Sequence, residues 1–376
     1  MPIAGLSSRF YNYGFKTIKY NLPINIQLDT MLHKSVESLN VPEGTIFIFI
    51  TRYDDISIKP CRNYKYIFKK IDFVTDGPAT TVNLVRDLIE DDEPIIIANC
   101  DQVLDYNFDN FIKSSKGVGT VMTYKPNYNL IMGSSDKNSF INCYVNPPKF
   151  TEKIVISEDA LTGVHYFSKG KYFKEGYDKM TELNLRAPNG EYYISLVYEA
   201  LSILGYNTGI YRLSDNEHFY PVGEPDDYFD YLYTKGGYTW DVKKIHDGYI
   251  FGDSPVRYEN GTIKIENIEN INDVIYENYI RGWIIGNFEP SILKTEKYEF
   301  GKLLHKKGEY HQFHYHKNSI EYNYLINGNM LINNRKLESG DLFIINKFEI
   351  ACPKFLEDCT IIVVKVPSSP GDKILF

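Results

Sequence analysis

Apolar positions along this chain follow two patterns. In the first, short unbroken apolar runs alternate with segments of helical spacing. Ile46 to Ile50 (IFIFI) and Pro94 to Cys100 (PIIIANC) read as buried strands, and Gly117 to Tyr124 (GVGTVMTY) resembles a third. Between them Ala79 to Ile89 (ATTVNLVRDLI) spaces its apolar residues as a helix does, and Tyr192 to Gly205 (YYISLVYEALSILG) predicts a second helix closed by its glycine. Strands alternating with helices predict an α/β fold whose parallel sheet is covered on both faces. Ligands then bind at the C-terminal ends of the strands.

The pattern changes after Lys235. Turn residues become frequent, and Glu259 to Gly261 (ENG) between alternating segments predicts a hairpin. From Trp283 onward short strand candidates (YLINGNMLINN, GDLFII, CTIIVVKV) are separated by Gly, Asn and Pro, with no helical spacing. That tail predicts a small all-β barrel or sandwich. The domain expectation is therefore 1–235, a region 236–285 read as linker with some β structure, and 286–376.

Composition narrows the function classes. The chain has 376 residues, 43% of them apolar and 24% charged, which excludes a disordered tail or fibrous repeat. With 41 Lys+Arg against 49 Asp+Glu the net charge is −8, a sign that repels nucleic-acid backbones and anionic membranes overall. Five scattered cysteines without a C-x-x-C pair fit a reducing compartment. No run of 18 apolar residues occurs, and Met1 to Phe10 lacks the apolar stretch of a signal peptide, so a cytoplasmic protein is expected. The 32 tyrosines stand out, and compositional bias or rings stacked on sugars would each produce them.

Candidate chemistry begins at the N-terminus. In PIAGLSSRF a glycine lets backbone N–H groups approach a phosphate, while Ser7, Ser8 and Arg9 add donors. Lys19 supplies a compact positive charge for the same phosphates. DGPATTV starts a helix after a Gly-Pro turn, and ANCDQ ends a buried strand with Asp101, where a phosphate-bridging Mg²⁺ needs an oxygen ligand. FTEK, LTGVHYF, NGEYYISLVYE and VGEPDDY follow in that order.

This series resembles the sugar-phosphate nucleotidyltransferases, in particular the branch of capsule and surface-polysaccharide gene sets, over the first 235 residues. The resemblance implies a Rossmann-like, GT-A-type mixed sheet. It implies that Ala4, Gly5, Leu6, Ser7 and Ser8 with Arg9 form the triphosphate loop, that Lys19 binds phosphate and that Gly77 and Pro78 contact the base. Asp101 is then the Mg²⁺ ligand, Lys153 joins Arg9 and Lys19 in neutralising charge, and Glu152, Thr162, Gly163 and Glu191 face the sugar phosphate. The implied reaction is attack of a sugar-1-phosphate oxygen on the α-phosphorus of a nucleoside triphosphate, releasing pyrophosphate.

In the tail, Gly308, His314, His316, Glu321 and Gly328 follow one another with five, one, four and six residues between them. Strand alternation puts both imidazoles on one face, and Glu321 on the next strand can join them as a facial metal triad. The spacing resembles the first motif of the cupin family, whose jelly-roll barrel would cover about Gly286 to Pro370. GDLFII matches the start of the second motif, but the place of its histidine is Ala351. Three readings stay open: a divalent transition metal on His314, His316 and Glu321, a metal-free sugar pocket lined by Tyr322 and Tyr324, or a structural barrel that makes a homodimer. His33, His165, His218, His246 and His305 lack partners at ligand spacing and read as structural.

The expected protein is a nucleotidyltransferase of surface-glycan metabolism with an appended sugar-binding or sugar-modifying barrel. Its partners would be a nucleoside triphosphate or nucleotide-sugar and a sugar phosphate. The rival readings are a sugar-nucleotide epimerase or isomerase, a glycosyltransferase-like protein whose first domain only holds nucleotide, and a non-catalytic sugar-nucleotide binder.

Overall fold

The computed structural model describes residues 1–268, 271 and 274–376, with the side chain of residue 277 outside that description. The chain divides into two compact units. The first comprises Met1–Ser7, Lys19–Asn21 and Thr30–Asp227, and the second Ser8–Ile18, Leu22–Asp29 and Tyr228–Phe376. The fold is mixed α/β in the first unit and mainly β in the second, which also holds the helix Ser8–Tyr13 and most of the helix Pro225–Thr234.

In the first unit, Ile46–Thr51 is a strand paired in parallel with Lys65–Lys70. Its other edge takes the chain start: Ile3 N–H donates to the Ile50 carbonyl at 2.8 Å and Ile50 N–H to the Met1 carbonyl at 3.2 Å. The main sheet runs Lys149–Ile154, Ser135–Asn142, Ala160–Phe167, Gly119–Tyr124, Gly209–Arg212, and Ile95–Ala98 also pairs with Ala160–Phe167.

This sheet is mixed, which corrects the parallel sheet read from strand–helix alternation. Ala160–Phe167 is antiparallel to both Ile95–Ala98 and Gly119–Tyr124, and only Gly119–Tyr124 with Gly209–Arg212 is parallel. The physical reason is the connection: a β-hairpin of Ser135–Asn142 and Lys149–Ile154, not a helix, leads into Ala160–Phe167. The helix expected over Ala79 to Ile89 also breaks, into Pro78–Asn83 and a 3₁₀ turn at Arg86–Leu88. Thr80, Thr81 and Val82 are β-branched and propagate a helix poorly. The second helix forms as Ile194–Ile203, and Gly205 at φ +85° ends it.

In the second unit an antiparallel sheet runs Val242–Lys244, Asp341–Ile345, Ile320–Asn327, Cys359–Val366, Glu299–His305, Trp283–Ile285. Strand alternation gives it two faces. Ile361 and Val363 join Leu325, Phe343 and Ile345 in one apolar cluster with Met330 and Phe355. Ile362 and Val364 join Leu342 and Ile344 in another, against Phe251, Val256 and Ile265. Of residues 236–285, Val242–Lys244 and Trp283–Ile285 form the two edges of this sheet, and the hairpin Val256–Glu259 with Thr262–Ile265 builds a small sheet over one face. That hairpin turns on Asn260 and Gly261, both at positive φ, as a two-residue type I′ turn requires.

The second unit also gathers Phe10, Phe15, Tyr228, Phe229 and Phe313. Phe15 stacks on Phe313 with ring centroids 3.5 Å apart, and Phe10 meets Phe15 edge-on at 5.2 Å. Aromatic rings of the early chain are therefore core of the later unit.

Candidate functional site

Ala4 is buried two residues after the isolated Pro2–Ile50 bridge, while Gly5 and Leu6 are exposed. Ser7 takes φ +53°, and its Oγ accepts from Lys19 N–H at 3.3 Å. Ser8 and Arg9 open the helix Ser8–Tyr13 and group with the second unit. The predicted phosphate loop is thus shared out between the two units along the chain.

Asp101 follows the strand Ile95–Ala98 by three residues. Its Oδ2 lies 2.5 Å from Lys19 Nζ, and both side chains are 22% exposed. Its backbone carbonyl accepts from Val222 N–H at 3.0 Å, and a Cβ added to Gly223 would lie 2.6 Å from Oδ2. The VGEP segment therefore lies directly against this carboxylate, through Gly223, which the sequence reading quoted within VGEPDDY without giving it a role. Gln102 is buried beside it with neither amide atom hydrogen-bonded among the described residues. Asn99 N–H donates to the Gly163 carbonyl at 3.3 Å, and a Cβ at Gly163 would meet the Asn99 side chain at 2.3 Å. Thr162 is buried, with its hydroxyl 3.4 Å from the Met122 carbonyl.

Gly77 at φ +131° precedes Pro78, the first residue of its helix. A Cβ there would lie 2.3 Å from the Tyr192 carbonyl, so only glycine fits. Tyr192 N–H donates to Asp76 and Ala79 N–H to Tyr192, at 2.7 and 3.0 Å, which staples this turn to the segment carrying Glu191.

Glu152 is buried and accepts from the hydroxyls of Ser139 and, at 2.8 Å, Ser195. Burial raises its carboxyl above the ordinary range, although these bonds and Lys153 oppose the shift. Lys153 Nζ lies 3.6 Å from Glu152 and 4.7 Å from the centre of the Tyr193 ring. Tyr193 in turn donates to Glu191 at 2.6 Å. Glu152, Lys153, Tyr193 and Glu191 thus form one connected group. Tyr193 and Ser195 lie inside the quoted NGEYYISLVYE segment, whereas Ser139 had no marker in the sequence.

In the second unit a cavity of about 980 Å³ is lined by His305, His311, His314, His316, Glu321 and Lys373, among others. His314 Nδ1 lies 2.8 Å from the Gln312 carbonyl, and burial pushes its imidazole down to about 3. Its backbone pairs with Ala351 through two hydrogen bonds, so the position of the second cupin motif's histidine is beside it but carries only a methyl group. His316 Nε2 is 3.1 Å from Glu321 and Nδ1 is 3.6 Å from Asp372, yet neither contact is aligned as a hydrogen bond. Burial alone would raise the Glu321 carboxyl, but His316 and Lys365 hold it well below the usual range.

Tyr322 and Tyr324 do not line this cavity. Period-two alternation sends Glu321 and Asn323 toward it and packs the two tyrosines on the opposite face with Tyr249 and Tyr258. Their reading as pocket residues is corrected. His305, read as structural, instead meets Glu309 and His311. Among the described residues these three are the His, Cys, Asp or Glu side chains whose ligand atoms all lie within 4.8 Å of one another. The relevant spacing, four and two residues across the turn Lys306–Glu309, matches no common motif.

No family model and no curated protein sequence matches the chain. Solved structures do. A nucleoside-diphosphate-sugar pyrophosphorylase from Vibrio cholerae is similar over 62% of this chain and 99% of its own, at 24% identity and a TM-score of 0.49. The bacterial pirin YhhW from Escherichia coli, in complex with nickel(II), is similar over 23% of this chain and 39% of its own, at 16% identity and a TM-score of 0.21. A quercetin 2,3-dioxygenase from Acinetobacter baumannii is similar over 23% and 32%, at 15% identity and a TM-score of 0.21. Among the described residues no helix is long and apolar enough to cross a membrane.

Proposed function

We propose that the chain is a sugar-phosphate nucleotidyltransferase with a GT-A-type first domain and a jelly-roll, cupin-type second domain that binds a related sugar, working in surface-glycan assembly in the cytoplasm. The observation that carries this reading is the Lys19–Asp101 pair at the C-terminal end of a sheet strand, roofed by Gly223. A cation and an anion that neutralise each other in the free protein are the groups a nucleotide and its metal would separate.

Asp101 suits Mg²⁺, which is held by one or two carboxylates together with substrate phosphates. The ion would neutralise charge on the triphosphate while the sugar-1-phosphate oxygen attacks the α-phosphorus and pyrophosphate leaves. Lys19, released from Asp101, would then hold phosphate oxygens as a point charge. The Gly77–Pro78 turn would present backbone groups to the base. Lys153 would face the sugar phosphate, oriented by Glu152 and the Tyr193 ring. Binding a sugar would fall to the 980 Å³ cavity, and pairing of two copies to the barrel.

The test is pyrophosphate release from each of the four nucleoside triphosphates with a panel of sugar-1-phosphates. Turnover should require Mg²⁺ and fall about a hundred- to a thousandfold in Asp101→Ala, a loss typical of removing a preorganised electrostatic partner. Undiminished release by a folded Asp101→Ala variant overturns the reading. Deuterium uptake into a nucleotide-sugar without pyrophosphate release would replace it with an epimerase.

A further inference from the structure

We infer that the barrel cavity holds a divalent transition-metal site built from His305, Glu309 and His311, and not from the His314, His316 and Glu321 set that motif spacing points to. The site is independent of the transfer reaction proposed above.

The expected set does not close. His316 and Glu321 are in contact, but the three ligand atoms of His314, His316 and Glu321 are not gathered within the 4.8 Å that unites His305, Glu309 and His311. Ala351 leaves the fourth position of that motif without an imidazole. His316 already faces two carboxylates, Glu321 at 3.1 Å and Asp372 at 3.6 Å.

The other set has ligand spacing. Glu309 Oε1 lies 3.0 Å from His305 Nδ1 and 3.3 Å from His311 Nε2. Ligand atoms bonded to one metal at about 2.1 Å sit about 3.0 Å apart at a right angle and about 3.4 Å apart at the tetrahedral angle, so these two edges match one ion, and the third pair of atoms lies within 4.8 Å. Two imidazoles with one carboxylate suit zinc, nickel, cobalt or ferrous iron rather than calcium or magnesium.

The ligands are also held in place. His305 ends the strand Glu299–His305 and lies flat on Phe355, with ring centroids 4.0 Å apart and planes 7° apart. Gly308 N–H donates to the Phe355 carbonyl, Phe355 N–H to the Glu309 carbonyl and His311 N–H to the Pro353 carbonyl, at 2.8 to 2.9 Å. One short strand, Pro353–Phe355, thus fixes the turn that carries two of the ligands. All three residues line the cavity, so three protein ligands would leave the remaining coordination positions open to a ligand inside the barrel.

The experiment is titration of the metal-stripped full-length protein with Co²⁺, followed by visible absorption, and with Zn²⁺ in competition. One equivalent of Co²⁺ should bind. His311→Asn and Glu309→Gln should each weaken binding on the order of a hundredfold, since even second-shell losses reach that size. His316→Asn should leave the affinity unchanged. His311 is partly exposed, so its variant tests the site without removing core packing. Absence of stoichiometric binding, or binding lost in His316→Asn and kept in folded His311→Asn and Glu309→Gln, overturns the inference.

Discussion

Each unit contains a lysine paired with a carboxylate, and the two pairs differ in what surrounds them. Lys19 and Asp101 meet at 2.5 Å with 22% of each side chain exposed. Lys365 and Glu299 meet at 3.3 Å with 8% and 6% exposed, and Glu299 also accepts from Ser369 N–H at 2.9 Å and Ser368 Oγ at 3.2 Å. Water reaches the first pair, so separating it loses little and a ligand of either sign can take one partner's place. The second pair is almost out of reach of bulk water, although both side chains line the 980 Å³ cavity, and parting its charges leaves each poorly solvated. Proximity of opposite charges is common to both, and exposure decides which pair is available for chemistry.

The sharpest way to break this comparison is Glu299→Ala. With Glu321 as its remaining nearby carboxylate, the buried Lys365 ammonium should lower unfolding stability by about 3 kcal/mol, read from the urea midpoint. Replacing both partners with apolar residues, Glu299→Leu with Lys365→Met, should recover most of that loss. A single substitution costing less than about 1 kcal/mol would place Lys365 in water and erase the contrast.

A smaller effect is expected at Gly223. Its backbone is not in the left-handed region, so alanine brings no strain of its own, but the new Cβ would press within 2.6 Å of Asp101 Oδ2. The flexible carboxylate should move while the fold persists. Displacing a reacting group by about 1 Å costs on the order of a hundredfold in kcat/KM. An unchanged kcat/KM for pyrophosphate release, with an unchanged Tm, would detach Asp101 from the reacting centre.

The sequence carried the parts of this picture that depend on neighbours along the chain. Asn260-Gly261 announced its hairpin because both residues tolerate positive φ, and Gly205 closed its helix for the same reason. Asp101 was legible as the carboxylate at a strand end. What depends on pairing between distant strands was not. Nothing local told Ala160–Phe167 to run antiparallel to all three of its partner strands. Tyr322 and Tyr324 looked like pocket residues until alternation was anchored to a known inner face, which Glu321 and Asn323 occupy. His305 and His311 converge on Glu309 only because a turn folds back against Pro353–Phe355, some 45 positions later in the chain. The aromatic surplus divides in a similar way: Tyr193 backs Lys153, whereas Phe10 and Phe15 pack a core whose other members lie more than 200 residues away.

The smallest expected effect tests the exposed pair directly. Asp101→Asn keeps the side-chain volume and removes only the charge facing Lys19. Because 22% of each side chain is exposed, the ammonium can regain water, and the unfolding free energy should fall by about 1 kcal/mol or less in urea. The same substitution should nevertheless abolish Mg²⁺-dependent turnover, since an amide is a poor substitute for a carboxylate on a hard cation. A stability loss as large as that of Glu299→Ala would mean that Lys19 and Asp101 are locked together as a structural pair, and a nucleotide could then not draw Lys19 away from Asp101.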